Sequence, residues 1–231
     1  MTIYGAMLSA AIRLVGQRPS VFFGSSGTFE IEICDLINEV ARDILASHDW
    51  QALTKIGTIT ADGSSTYSRP DDYDRMALVA DMQRSDSWLW GYYSAADINE
   101  FMALEESGFQ GFPGAWILMG NEFRFSPVPS GNARFAYISK DYAVDSPTLS
   151  PKSQFDADTD KFVLPERLLT LGLVWRWREQ KKLDFSGDQE AFTKALSEEA
   201  GKDQGSRVIR KGSRMRFRGT YPAWSGILGP V

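Results

Sequence analysis

The hydrophobic period of this chain changes twice. From residue 3 to residue 48 apolar side chains recur every three or four positions, the spacing of a helix face. From Leu53 to Asp141 they fall in short runs that mostly alternate, the spacing of strands. From Leu164 the helical period returns. A helix-period pattern does not settle as a strand, so the order helices, strands, helices constrains the fold before any motif is considered. Such runs point to α+β and not to a wound parallel sheet. The expected arrangement is a helical bundle formed by the N- and C-terminal helices, with a β-rich insertion and an extended C-terminal arm. The bundle takes residues 1–50 and 161–205, the insertion 51–145, a loop 146–160 and the arm 206–231.

Four helices are expected at the two ends. The first covers about residues 3–16, with Thr2 able to cap it, Met7, Ala10, Ala11 and Leu14 as its stripe, and Gly16 to stop it. The second covers about 29–48 behind Thr28, with Glu30 and Glu32 at the positive end of its dipole. Cys34, Ile37, Ala41 and Ile44 form its stripe. The third starts at Pro165, with Lys181 and Lys182 near its negative end. The fourth covers about 188–201, with Asp188 near the start and Phe192, Ala195 and Leu196 inward. Between the first two, the loop QRPSVFFGSSG carries Phe22 and Phe23, which either fold back onto the core or meet a neighbouring subunit.

The middle of the chain predicts strands. Ile56, Thr58 and Thr60 alternate with Lys55, Gly57 and Ile59, and Asp62-Gly63 then marks a tight turn. Tyr67 and Pro70 are assigned to the first hairpin so formed. Further strands are expected at 65–69, 75–82, 87–93, 115–119, 122–126 and 133–139, with Gly120-Asn121 as a hairpin turn. A short helix over 95–106 behind Ser94 interrupts them, and the polar stretch 145–160 reads as a loop.

The chemistry-bearing residues do not assemble into a catalytic set. One cysteine and one histidine rule out a disulfide framework and make zinc chemistry improbable. Cys34 and His48 share the second helix, where fourteen residues put them about 21 Å apart. A nucleophile and its base need roughly 3 Å. Cys34 therefore reads as a buried structural thiol. Adjacent residues on a helix do not face each other, so His48 beside Asp49 reads as a helix end, with Trp50 and Leu53 pinning the crossing into the strands. Two acidic clusters occur, Asp71-Asp72-Asp74 and Asp156-Asp158-Asp160. The second resembles the start of a calcium loop but has Lys161 where a glycine is needed and Arg167 where a glutamate is needed. There is no phosphate loop, dinucleotide fingerprint or metalloprotease motif. No enzyme activity, cofactor or metal is expected.

Trp175, Arg176, Trp177 and Arg178 raise the possibility of base stacking. On a helix the two tryptophans point about 200° apart, so one enters the core and the other lies near a rim or an interface. The net charge of −5 argues against a general nucleic-acid coat. The N-terminal apolar run has no basic segment before it and carries Arg13 inside it, unlike a signal peptide. No stretch approaches the roughly 18–20 apolar residues that cross a bilayer.

The last thirty residues differ from the rest. Arg207, Arg210, Lys211, Arg214, Arg216 and Arg218 give strong local positive charge. Met215, Phe217, Tyr221, Trp224, Ile227 and Leu228 give an apolar payload that disordered tails normally lack. The segment reads as an arm that orders on a partner.

The pattern as a whole resembles a known family. Ile37-Asn38-Glu39-Val40-Ala41-Arg42 runs on through Trp50 and Leu53, then come Tyr67, Pro70 and Asp72, and Leu164-Pro165 leads to Trp175. This order is similar to that of the head-to-tail adaptors of tailed bacteriophages and gene transfer agents, with tail tubular protein A a related type. The resemblance spans roughly residues 28–205 and rests on element order, not on one specific motif. It implies a bundle with a β insertion, assembled as a twelve-fold ring of identical copies below the portal protein. It implies a C-terminal arm that grips the portal, a second face for tail or nozzle proteins, and a lumen through which genomic DNA passes without sequence-specific binding. The protein would be made in the host cytoplasm and reside in the neck of the virion, with no membrane contact. Two alternatives stay open: another tail-completion or nozzle component, and a nucleic-acid binder using residues 207–218, whose affinity would fall steeply with salt.

Overall fold

The computed structural model describes residues 2–77, 82–84, 91–107 and 114–203. In chain order its elements are α1 (Ile3–Val15), α2 (Thr28–Ser47), β1 (Thr54–Ile59), β2 (Thr66–Ser68), β3 (Tyr73–Met76), β4 (Gln83–Arg84), β5 (Tyr92–Ser94) and α3 (Ile98–Ser107). There follow β6 (Gly114–Met119), β7 (Glu122–Ser126), β8 (Ala133–Ser139), β9 (Ala143–Val144), β10 (Pro151–Lys152), β11 (Lys161–Phe162), α4 (Glu166–Gln180) and α5 (Ser186–Asp203). The class is α+β. Two units divide the described chain: one holds the residues up to Thr54 and from Ile138 on, the other those from Lys55 to Tyr137.

In the first unit α4 is the central element, packed against α1, α2 and α5. Its buried residues, Leu168, Leu169, Thr170, Gly172, Leu173, Val174 and Trp175, run right round its circumference, as expected of a helix enclosed by others. Gly172 permits the approach of α2, because a Cβ there would lie 2.3 Å from Val40 Cγ1. Helix α1 stops at Gly16 in the left-handed region, φ 71°, and the Gly16 N–H bonds the Ile12 carbonyl. Thr2 precedes α1 without a side-chain cap. Residues in the expected loop 146–160 join a small antiparallel sheet ordered β10-β9-β11, with Pro151 opposite Val144 and Phe162 opposite Ala143. The rings of Tyr142, Phe155 and Phe162 meet beside it at 5.2–6.3 Å.

The second unit has two sheets, one ordered β1-β8-β3 with β4 also on β8, the other β2-β7-β6-β5. Its core is aromatic: Tyr73, Phe135 and Tyr137 from the first sheet meet Tyr92, Trp116, Phe123 and Phe125 from the second. Phe123 and Phe125 are buried while Glu122 and Arg124, which alternate with them, are exposed, the alternation of a strand with one solvated face. Helix α3 covers part of the second sheet through Phe101, packed with Ala95 and Ala115.

Several expectations change here. The hairpin at Gly120-Asn121 forms, with Met119 opposite Glu122 and Gly120 at φ 62°. The hairpin expected between β1 and β2 does not. Those strands lie in different sheets, β1 on β8 and β2 on β7, and six residues separate them where a two-residue turn would hold a pair together. Gly57 fixes the first choice, since a Cβ there would lie 2.5 Å from Phe135 Cζ. The short helix starts at Ile98, and Ser94 ends β5 instead of capping it. Asp97 caps it, accepting the Glu100 N–H at 2.8 Å, while the Glu100 carboxylate accepts the Ala96 N–H at 2.6 Å. Strands β5 and β6 pair in parallel, Tyr92 opposite Gly114, a pairing that α3 makes possible by carrying the chain back. The expected strands 75–82 and 87–93 fall partly on residues outside those described.

Candidate functional site

The exit from α2 is built around Trp50, which is 2% exposed. Its indole N–H donates to the Ile44 carbonyl at 2.8 Å, satisfying one of the acceptors a helix end leaves open. The Trp50 carbonyl accepts the Leu53 N–H at 3.0 Å and the Thr54 hydroxyl at 2.9 Å, and Leu53 is buried. His48 takes extended backbone, φ −154° and ψ 152°, and sets its ring edge-to-face on Trp50 at 5.0 Å. His48 Nε2 lies 3.3 Å from Asp203 Oδ2, and the same oxygen accepts the Gln51 N–H at 2.9 Å. The last residue of α5 is thus tied to the exit of α2. Tyr67 and Pro70 belong to the other unit. The Tyr67 hydroxyl accepts the Asp62 N–H at 3.3 Å, and the Pro70 carbonyl accepts the Tyr73 N–H at 3.0 Å. Asp72 beside them accepts Lys55 Nζ at 2.6 Å and the Tyr137 hydroxyl at 2.9 Å.

The acidic stretch 156–160 serves as a clamp. The Asp158 carboxylate accepts the Phe22 and Phe23 N–H groups at 2.9 and 3.0 Å. The Asp160 and Asp158 carbonyls accept the N–H groups of Ile3 and Tyr4 at 2.8 and 3.4 Å, so the loop caps α1 where Thr2 does not. Asp160, fully buried, accepts the N–H groups of Asp156 and Ala157 and pairs with Lys152 at 3.1 Å. The Lys152 ammonium also holds the Asp156 carboxyl below its usual range. Phe22 is consequently buried against Tyr4, ring to ring at 5.9 Å, and Phe23 is half-buried. Asp158→Ala leaves two half-buried N–H donors unserved and is expected to cost about 2 kcal/mol. Urea unfolding measures the loss, and amide exchange at Phe22 and Phe23 locates it.

Asn38 uses both ends of its amide. It accepts the Tyr142 hydroxyl at 2.9 Å and the Phe155 N–H at 2.8 Å, and donates to the Phe155 carbonyl at 3.2 Å. Burial pushes the Tyr142 phenol up. Cys34, one turn away, is half-buried at the edge of the apolar stripe and not within it. Burial first, then the Asp158 and Glu30 carboxylates, push its thiol up to about 11, which makes it a poor nucleophile at neutral pH.

The aromatic and basic cluster of α4 is occupied within its own unit. Trp175 is buried against Phe192 and Phe185, with the Arg176 guanidinium 4.4 Å from its ring centre. The Trp177 indole donates to Glu32 at 3.1 Å, Arg176 bonds Asp43 and Glu179 at 2.6 and 3.0 Å, and Arg178 bonds Asp188. Bases have no free ring face on Trp175 to stack on. A family model described as the SU10 adaptor protein matches residues 2–218.

The chain belongs to the SU10 adaptor protein family. It is a phage adaptor, a structural protein, and the resemblance to head-to-tail adaptors read from the sequence holds at the level of the family. A search of curated proteins finds no match. No described helix of the adaptor is long and apolar enough to cross a membrane. The arm residues Arg207, Arg210, Lys211, Arg214, Arg216, Phe217, Arg218, Tyr221, Trp224, Ile227 and Leu228 lie outside the described residues. Sequence reasoning missed Asp203 and Lys152, took Asp158 for part of an incomplete cation loop, and gave Asn38 no structural role, although a poor helix former in the middle of an apolar helix pattern is a signal.

Proposed function

We propose that the adaptor is the ring protein joining the portal of a tailed phage to its tail or nozzle, with a lumen that forms part of the DNA channel. The family match carries this reading, because it runs through both units and on into the basic segment as far as Arg218. Residues 206–231 are the arm that grips the portal, and the protein resides in the neck of the virion. The distribution of charge supports both roles. The net charge is −5, residues 204–231 hold six cations and no carboxylate side chain, and residues 1–203 therefore carry −11. An acidic body does not hold DNA phosphates in passage, while an arginine-rich arm fits carboxylates on a protein partner. Electron microscopy of the purified adaptor with and without portal tests this. Rings of twelve copies seated on the portal are expected. Portal particles that carry no adaptor ring would overturn it.

A further inference from the structure

Helix α3 ends against its own dipole. Its last turn holds Glu105 and Glu106 and no cation, although the negative pole of a helix favours Lys, Arg or His there. Both glutamates are exposed, and neither forms an ion pair among the described residues. The acidic clusters at 71–74 and 156–160 differ, since Lys55 and Arg75 pair with the first and Lys152 with the second. Exposed features that break a local rule without compensation in the fold mark functional sites.

The same side of α3 is apolar one turn earlier. Ile98 is 44% exposed and Met102 49%. On a helix Ile98, Met102, Glu105 and Glu106 fall within about 100° of arc. Phe101 and Leu104, which pack toward the sheet, lie outside that arc. Arg124, the register partner of Ile117, belongs to the sheet face beneath α3 and not to this outer side. No Lys or Arg occurs from residue 85 to residue 123, while Asp86, Asp97, Glu100, Glu105, Glu106 and Glu122 do.

The arm is the complement. Residues 204–231 hold six cations and no carboxylate side chain, and Met215 and Phe217 alternate with Arg214, Arg216 and Arg218. We infer that in the free adaptor residues 214–218 rest on the outer side of α3 in the same chain. Met215 and Phe217 cover Ile98 and Met102, and the arginines meet Glu105 and Glu106. The tether selects the occupant. Eleven to fifteen residues beyond Asp203 span up to about 36–50 Å when extended, and such a link keeps the segment at a millimolar effective concentration. The arm of another copy has no such advantage before assembly. Exposed pairs of this kind are weak, so the arm is docked about half the time, which leaves the melting of the body unchanged and lets the portal displace it. This inference rests on the reading of residues 206–231 as the arm that grips the portal, and assigns its place before it does so.

A carbodiimide joins a carboxylate to a nearby amine and tests the contact without portal. In the full chain carrying Arg216→Lys, it is expected to link position 216 to Glu105 or Glu106. In a mixture of 14N- and 15N-labelled protein, the links are expected within single chains. Their yield is expected to fall severalfold at high salt, and severalfold again with Met102→Ser, which alters only an exposed side chain. No link to α3, links only between differently labelled chains, or a yield indifferent to salt and to Met102→Ser would overturn the docking. Portal bound alike by the full chain and by a chain ending at Gly205 would overturn the portal grip and leave the cross-link standing. Where truncation does weaken portal binding, Glu105→Lys with Glu106→Lys supplies the final readout. These lysines suit the helix dipole, so α3 stays formed, and the freed arm is expected to bind portal about twofold tighter. An unchanged affinity would overturn the arm as occupant, and a lowered one would do so by assigning α3 to the portal.

Discussion

A chain ending at Gly205 is expected to lose attachment to the portal while its body melts as the full chain does. The arm concentrates the residue types that dominate protein interfaces, with five arginines, Phe217, Tyr221 and Trp224 in one short segment. Two such residues at about 2 kcal/mol each already correspond to roughly a thousandfold in affinity. Losing the whole segment therefore lowers binding by about a thousandfold or more. Co-sedimentation of the truncated adaptor with portal measures this directly, and unchanged attachment would refute the arm assignment. A second truncation, after Arg218, separates the two chemistries of the arm. It keeps the basic cluster, which the family match includes, and removes Tyr221, Trp224, Ile227 and Leu228. If the aromatic half supplies the anchors, this shorter cut costs nearly as much as the longer one. If the cations carry attachment, it retains most of the binding and makes it strongly dependent on salt.

What the sequence made legible divides along a physical line. Local period and local turn chemistry were readable: α1 with its Gly16 stop, the Gly120-Asn121 hairpin and the helix behind Pro165 follow from residues within a few positions of one another. Pairings across long separations were not. Thr66 lies opposite Arg124 because two aromatic faces must meet, and no residue near position 66 announces it. The same holds for the polar joints. Asp158 reaches Phe22 across 136 positions, and Asp203 reaches Gln51 across 152. From spacing alone, Asp156-Asp158-Asp160 suggests an incomplete cation loop, and only the fold supplies the N–H donors that the carboxylates serve. His48 illustrates the same limit: the chain turns extended there, and the Asp203 carboxylate reaches it from the end of α5.

Trp50→Ala is expected to remove about 3–5 kcal/mol of stability, a large share of the roughly 5–15 kcal/mol that holds a typical domain. Three contributions are lost together. The side chain is 2% exposed, so its deletion leaves a cavity. The Ile44 carbonyl loses the indole donor. His48 loses the ring on which its edge rests, and with it the packing that holds the imidazole near Asp203. Trp50→Phe separates these contributions, because it keeps most of the buried ring and deletes only the donor, at about 1–2 kcal/mol. Urea unfolding followed by far-UV circular dichroism resolves the two, whereas fluorescence would mix the signals of seven tryptophans. Equal losses in both variants would assign the joint to the Ile44 hydrogen bond instead of to burial. No loss in either would remove Trp50 as the anchor. The consequence for assembly follows from position. Asp203 is the last described residue before the basic segment, and its carboxylate is held to His48 and Gln51. A loosened joint at Trp50 frees the end of α5, so the arm starts from a mobile base and pays more ordering entropy on the portal. Trp50→Ala is therefore expected to weaken portal attachment even under conditions where the body stays folded, and Trp50→Phe to weaken it less.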